Sequence, residues 1–201
     1  MKSLISAIFA CVMSFSTLAA TKAEDGSQIQ ADNLYPKVKL ETSMGDIVIE
    51  LDRYKAPITA NNFLRYVDKR SFDGTIFHRI VPDFVVQGGG YNQDFVEQPK
   101  FGEIFNESGN GNKNAAYTVA MARQNDPHTA NRQFFFNLKE NDSLDPGRNW
   151  GYAVFATVTS GHEVIDAMAE VETKFDAELG WNDVPVKPII LLKASLIPQT
   201  F

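Results

Sequence analysis

Cysteine is almost missing from this chain. Its one representative, Cys11, lies near the start, so the rest of the sequence has no partner for a disulfide and must be held by its core. Histidine is also scarce: His78, His128 and His162 stand far apart, and His162-Glu163 lacks the second histidine of a zinc-protease helix. No metal and no cofactor are expected. There is no Gly-x-Ser-x-Gly elbow, which removes the usual argument for a serine hydrolase. Positive charge is in deficit, with 19 Lys and Arg against 25 Asp and Glu and a net charge of -6. That balance suits neither phosphate backbones nor anionic lipid, so no nucleic-acid partner is expected. No internal repeat or low-complexity tract is visible.

What is present begins with Met1-Lys2, a charge-free apolar run over residues 4–20, and small residues at Thr17, Ala19, Ala20 and Ala23. This reads as a secretory signal peptide over 1–23, with cleavage after Ala19 or Ala23. The run falls short of the ~20 apolar residues that a spanning helix needs, so no membrane insertion is expected after cleavage. Cleavage after Ala23 would remove Lys2 and Lys22 and take the net charge from -6 to -8. Residues 24–36 are polar and without apolar period, which predicts a flexible lead-in.

The domain, 37–201, opens with two alternating runs at 38–42 and 46–51 joined through Ser43-Met44-Gly45, a β-hairpin. Pro57 then starts a stretch in which Ile58, Phe63, Leu64, Tyr66 and Val67 recur at helical spacing. Further strands are predicted at 76–80, 84–86, 117–121, 133–138 and 152–158, a second helix at 162–171 and a closing strand at 188–197. Many short strands with two distant helices and no βαβ rhythm predict a mainly β fold: a closed antiparallel barrel of about eight strands, capped by two α-helices.

At the centre runs Phe77-His78-Arg79-Ile80-Val81-Pro82-Asp83-Phe84-Val85-Val86-Gln87-Gly88-Gly89-Gly90. It resembles the signature of the cyclophilin family. The resemblance continues through Val119-Ala120-Met121-Ala122-Arg123, Arg132-Gln133-Phe134-Phe135-Phe136-Asn137, Ser143-Leu144-Asp145 and Gly151-Tyr152-Ala153-Val154-Phe155-Ala156, in the family's order. The activity it implies is peptidyl-prolyl cis/trans isomerisation, with unfolded or extended proline-containing chains as partners.

The residues suit that reaction. An amide resists rotation by ~18–20 kcal/mol because its nitrogen lone pair is delocalised. Midway through rotation the prolyl nitrogen turns pyramidal and can accept a hydrogen bond, so a donor aimed there stabilises only the transition state. Arg79 is always protonated and presents its donors in a rigid fork. Gln87 offers an amide for the rotating carbonyl, and Phe84, Val85, Phe135 and Leu144 can form an apolar pocket for the proline ring. The resemblance further implies Tyr152 in that pocket, Gln133 supporting it, and the backbone of Ala122 and Arg123 as a substrate anchor.

Several positions depart from the family's pattern. Tyr152 stands where eukaryotic relatives usually carry histidine, a change typical of the bacterial branch, and Val85 replaces a frequent methionine. Arg123 sits where many relatives have asparagine. Ser143 occupies the place of the tryptophan found in tight cyclosporin binders, which predicts weak cyclosporin binding, with Trp150 a candidate to refill the gap. On a regular strand Phe134 and Phe136 should face inward and Phe135 outward, and His78 should point away from Arg79. Gly88-Gly89-Gly90 reads as a turn rather than a phosphate loop, since no Lys-Ser or Lys-Thr follows. The expectation is a monomeric folding catalyst in the periplasm or secreted. The alternative is a proline-peptide-binding chaperone module without turnover.

Overall fold

The alternating runs that open the domain pair as an antiparallel hairpin, β1 (Lys37–Thr42) and β2 (Gly45–Leu51), with Val38 opposite Ile49 and Leu40 opposite Ile47. All four of those side chains are fully buried. The computed structural model describes residues 25–147 and 149–199; the predicted signal peptide lies outside them. Among the described residues the remaining α-helices and strands are α1 (Pro57–Asp68), β3 (Thr75–Val81), β4 (Val85–Asn92), β5 (Thr118–Met121), β6 (Phe134–Asn137), β7 (Val154–Ser160), α2 (His162–Ala169), β8 (Thr173–Asp176), β9 (Trp181–Pro185) and β10 (Ile189–Leu196).

Eight strands close a barrel in the order β1-β10-β3-β4-β6-β5-β7-β2, antiparallel at every pairing. Its interior is filled largely by aromatics, with the Phe63 ring 4.9 to 5.4 Å from those of Phe72, Phe134 and Phe155. Phe63, Leu64 and Val67 of α1 and Ile165 and Met168 of α2 join the same core. A side chain can enter a closed barrel only through its ends, so the helices cap it. The N-terminus of α1 is itself capped from afar: Ile58 and Thr59 donate their amides to the Glu107 carboxylate at 3.1 and 2.8 Å.

The strand pair β3–β4 is irregular in two places. Phe77 and Ile80, three residues apart, both lie in the barrel core, which a regular strand forbids. Between Phe77 and Arg79 β3 advances two residues while β4 advances one, from Gly88 to Gln87. His78 is therefore the extra residue of a β-bulge. The expectation that His78 faces away from Arg79 is corrected accordingly, because both lie outside the core on one side of the strand. The glycine triplet is not a turn either. It lies within β4, where Gly89 takes a left-handed φ of 84° and the register shifts against Thr75 and Phe77. A Cβ on Gly90 would sit 2.5 Å from the Gln133 amide nitrogen, so only glycine lets that side chain lie against the strand.

Two buried arginines replace apolar packing where loops cross the barrel. Arg132, 1% exposed, donates to the carbonyls of Gly89, Pro99 and Ser71 at 2.5 to 2.7 Å, with its guanidinium over the Tyr66 ring. Arg53 donates to the carbonyls of Ile29, Gln30 and Asn33. That second set gives residues 25–36 a defined course of turns, and Gln30 adds a bond to the Ile197 carbonyl at 2.9 Å. The reading of this stretch as a lead-in rested on its missing apolar period. Backbone carbonyls collected by one arginine leave no such trace.

The hairpin β8–β9, for which the sequence reading had no element, stands outside the barrel against β3. It is anchored by Trp181, whose ring lies 4.9 Å from Tyr91 and 6.0 Å from His78.

Arg132→Met should leave three buried carbonyls unpaired and lower the unfolding free energy by about 3–5 kcal/mol. Urea denaturation tests this: a loss under about 1 kcal/mol with unchanged m-value contradicts the bracing role. His78 gives a pH signature. Burial first, and the neighbouring Arg79 charge second, push its imidazole down to about 4, against ~6.5 in an unfolded chain. Between those values the unfolded chain binds a proton that the folded chain refuses, so stability falls as pH drops from about 6.5 to about 4, by roughly 3 kcal/mol in all. In His78→Gln the difference in unfolding free energy between pH 7.5 and 4.5 should shrink by about 2 kcal/mol; an unchanged difference refutes the assignment.

Candidate active site

The side chains that the sequence singled out fall on one transverse row of the barrel. Arg79 on β3 is paired across the ladder with Gln87 on β4, Gln87 with Phe135 on β6, and Phe135 with Ala120 on β5. Because facing residues in adjacent strands share a side of the sheet, the four project together from the outer wall. Phe134 and Phe136 point inward, as alternation predicts, and Phe135 joins Val85, Ala120 and Val154 in a second, smaller apolar cluster.

Val85 and Phe135 of that cluster line a cavity of about 120 Å³. Phe84, Val85, Phe135, Leu144 and Tyr152 supply its walls, Arg79 and Gln87 stand on one rim, and Ala122 with Arg123 runs along another. Nine of the ten candidate residues meet here. The tenth, Gln133, lies behind Gln87 and accepts a hydrogen bond from its Nε2 at 2.9 Å. Engineered apolar cavities of about 150 Å³ admit a benzene ring, so the volume suits a five-membered one.

Long-range polar contacts hold the walls. The Asn141 amide donates to the Phe84 carbonyl at 2.9 Å and to Asn137 Oδ1 at 2.8 Å, while the Asn114 amide donates to the Leu144 carbonyl at 3.1 Å. Asn137 closes the set by donating to Asn114 Oδ1 at 3.2 Å. Phe84 and Leu144, both in the cavity wall, are thus tied through one buried asparagine network. The sequence reading missed it, and in a chain with loops rich in asparagine no spacing singles these three out.

Arg123 does more than offer its backbone. Its guanidinium lies 4.6 Å from the Tyr152 ring centroid and donates to the carbonyls of Gly151, Gln124 and Trp150, so it braces the Tyr152 wall. The Ala122 amide is committed to the Gln133 carbonyl at 2.9 Å. An extended peptide anchored here would therefore use the Ala122 carbonyl or the Arg123 amide. Trp150 does not refill the space beside Ser143. It is 49% exposed and packs against His128 and Phe105, with ring centroids 5.0 and 6.3 Å away.

Arg79 is half-exposed, and its Nε lies 3.8 Å from the Asp183 carboxylate on β9. Beyond it opens a second, shallower depression of about 500 Å³, which shares Arg79 and Gln87 with the first and is walled by Trp181, Tyr91 and His78. Among the described residues no cluster of three or more His, Cys, Asp or Glu could hold a metal ion.

The family profile described as "Cyclophilin type peptidyl-prolyl cis-trans isomerase/CLD" matches residues 37–196. The chain is 47% identical to peptidyl-prolyl cis-trans isomerase cyp18 of Streptomyces antibioticus over 80% of this chain and 98% of that one. It is 42% identical to peptidyl-prolyl cis-trans isomerase A of Dickeya dadantii, over 81% and 85%. In fold it is similar to a Cryptosporidium parvum cyclophilin type isomerase, with a TM-score of 0.68 at 21% identity over 83% of this chain and 99% of that one. A barrel of this topology and a profile spanning the whole domain lead to one conclusion: the chain belongs to the cyclophilin-type peptidyl-prolyl cis-trans isomerases.

Proposed function

We propose that Arg79 is the transition-state donor of this isomerase, that the cavity bounded by Phe84, Val85, Phe135, Leu144 and Tyr152 seats the proline ring, and that Gln87 holds the chain beside it. One observation carries the reading: a permanent, half-exposed cation stands on the rim of a ring-sized cavity walled by Phe84, Val85, Phe135, Leu144 and Tyr152. A planar amide nitrogen gives such a cation nothing to bind, whereas the pyramidal nitrogen of the twisted amide does. The twisted amide is also less polar, so a dry pocket favours it. For a ~10⁵-fold acceleration these effects together must supply about 7 kcal/mol, of which one charged hydrogen bond contributes about 1.5–3.

The clients we infer are exported polypeptides whose folding waits on X-Pro bonds. The apolar run at 4–20 supports export, and Tyr152 supports a place in the bacterial, periplasmic branch. With its acidic surface and small apolar cavity we read the protein as a monomer that takes extended chains one proline at a time.

Arg79→Ala should lower kcat for a prolyl tetrapeptide by about 100-fold and leave peptide binding, followed by titration, within about threefold of the parent. Equal turnover in parent and variant removes Arg79 from the mechanism, and a parent that binds without turnover favours the chaperone reading. Cyclosporin should bind weakly, because Ser143 is exposed and leaves the pocket's far edge bare. Ser143→Trp should tighten binding by about tenfold, and a calorimetric titration showing no gain contradicts that explanation.

A further inference from the structure

The hairpin β8–β9 lies outside the barrel and adds nothing to its core, yet it meets the rim of the candidate site. Trp181 fastens it: the indole contacts Tyr91, His78 and Phe95 at centroid distances of 4.9, 6.0 and 6.1 Å. Asp183 follows two residues later on the same strand. Its backbone is left-handed, with φ 61°, a conformation uncommon for a residue with a side chain and persistent where surrounding structure enforces it. In that conformation its carboxylate lies 3.8 Å from Arg79 Nε.

Arg79 stands on a ridge. On one side is the cavity of about 120 Å³ and on the other the depression of about 500 Å³, and Arg79 and Gln87 border both. Asp183 lines only the second. The Asp183 carboxylate draws the guanidinium by charge from that side, at a separation beyond hydrogen-bond reach, while Arg79 itself borders the proline cavity on the other. With the two side chains 38% and 37% exposed, the pair is screened and adds little to stability. Its effect is on direction.

We propose that Asp183 is a positioning residue for Arg79: from the hairpin its charge biases the guanidinium toward one orientation on the rim before a peptide arrives. The proposal rests on the reading of Arg79 as donor. An arginine without this partner spreads over several rotamers and must be ordered during each turnover, which slows the chemical step without loosening the peptide. Partial screening leaves the cation's charge in place for the transition state.

The test uses Asp183→Asn and Asp183→Gly, both of which suit a left-handed backbone and so keep the hairpin's course. In each, kcat for a prolyl tetrapeptide should fall by roughly fivefold while KM stays within about twofold of the parent. In an Arg79→Lys background the same substitutions should change kcat by less than about 1.5-fold, because there is no guanidinium plane left to orient. The Arg79 Nε–Hε signal in ¹⁵N spectra should shift and sharpen as the side chain is released. If Arg79→Ala turns over at the parent rate, the donor reading fails and this proposal with it. If Arg79→Ala is slow but both Asp183 variants keep the parent kcat, only the positioning role is overturned. An equal loss of kcat in the Arg79→Lys background overturns it too, since the effect would not then pass through Arg79.

Discussion

Everything at this site depends on Phe77 and Ile80 entering the barrel core together. Two apolar side chains three residues apart on one strand can share a face only if an extra residue is inserted, and His78 is that residue. Without the bulge, burying Phe77 would turn Ile80 out and Arg79 in, placing a cation among phenylalanines, where its desolvation has no compensation. With it, both apolar side chains are buried and Arg79 emerges opposite Gln87. The hydrophobic demand of the core therefore aims the cation, and the site inherits its geometry from packing.

The rest of the transverse row follows from ordinary strand pairing. Once Arg79 faces Gln87, the ladder carries the same side of the sheet on to Phe135 and Ala120. A one-residue slip in any of these pairings would send the row to the opposite face. The register is held from outside the ladder as well, since Arg132 takes the Gly89 carbonyl beside the β4 irregularity. It also tethers the backbone at Ser71 and Pro99. A buried arginine satisfied by three carbonyls is costly to remove, so it resists sliding of β4 in a way that apolar contacts, which tolerate small shifts, do not.

Much of this was legible in the sequence. Alternation gave the hairpin β1–β2 and the inward Phe134 and Phe136, helical spacing gave α1 and α2, and the resemblance gave ten residues that the structure gathers at one end-to-end row and its flanks. The bulge escaped because His78-Arg79 looks like any polar pair; the visible sign was the i, i+3 spacing of Phe77 and Ile80 inside a strand. The hairpin β8–β9 escaped because residues 173–185 alternate poorly, and only Phe175, Gly180 and Trp181 hint at two short runs around a turn. The asparagine network and the Arg53 cradle escaped for a different reason. Both reach their targets, Phe84 and Leu144 or Ile29, Gln30 and Asn33, through backbone carbonyls, which carry no residue identity.

On the proposed reading, separate elements hold ground-state binding and transition-state stabilisation. The cavity walls come from β4, β6 and the loop at Leu144, tied by Asn141 and Asn114. Arg79 comes from β3 and meets the cavity at its rim. A contact that gripped the planar amide would deepen the ground state and raise the barrier by the same amount. Apolar walls avoid this, because they hold the ring while leaving the X-Pro bond unencumbered, and a cation finds no lone pair on a planar nitrogen. Selectivity for the twisted amide therefore requires no closing lid and no proton transfer. It requires that one guanidinium be already aimed when the nitrogen becomes pyramidal, which is a demand on rigidity, and the bulge, the ladder and the buried arginine all serve it.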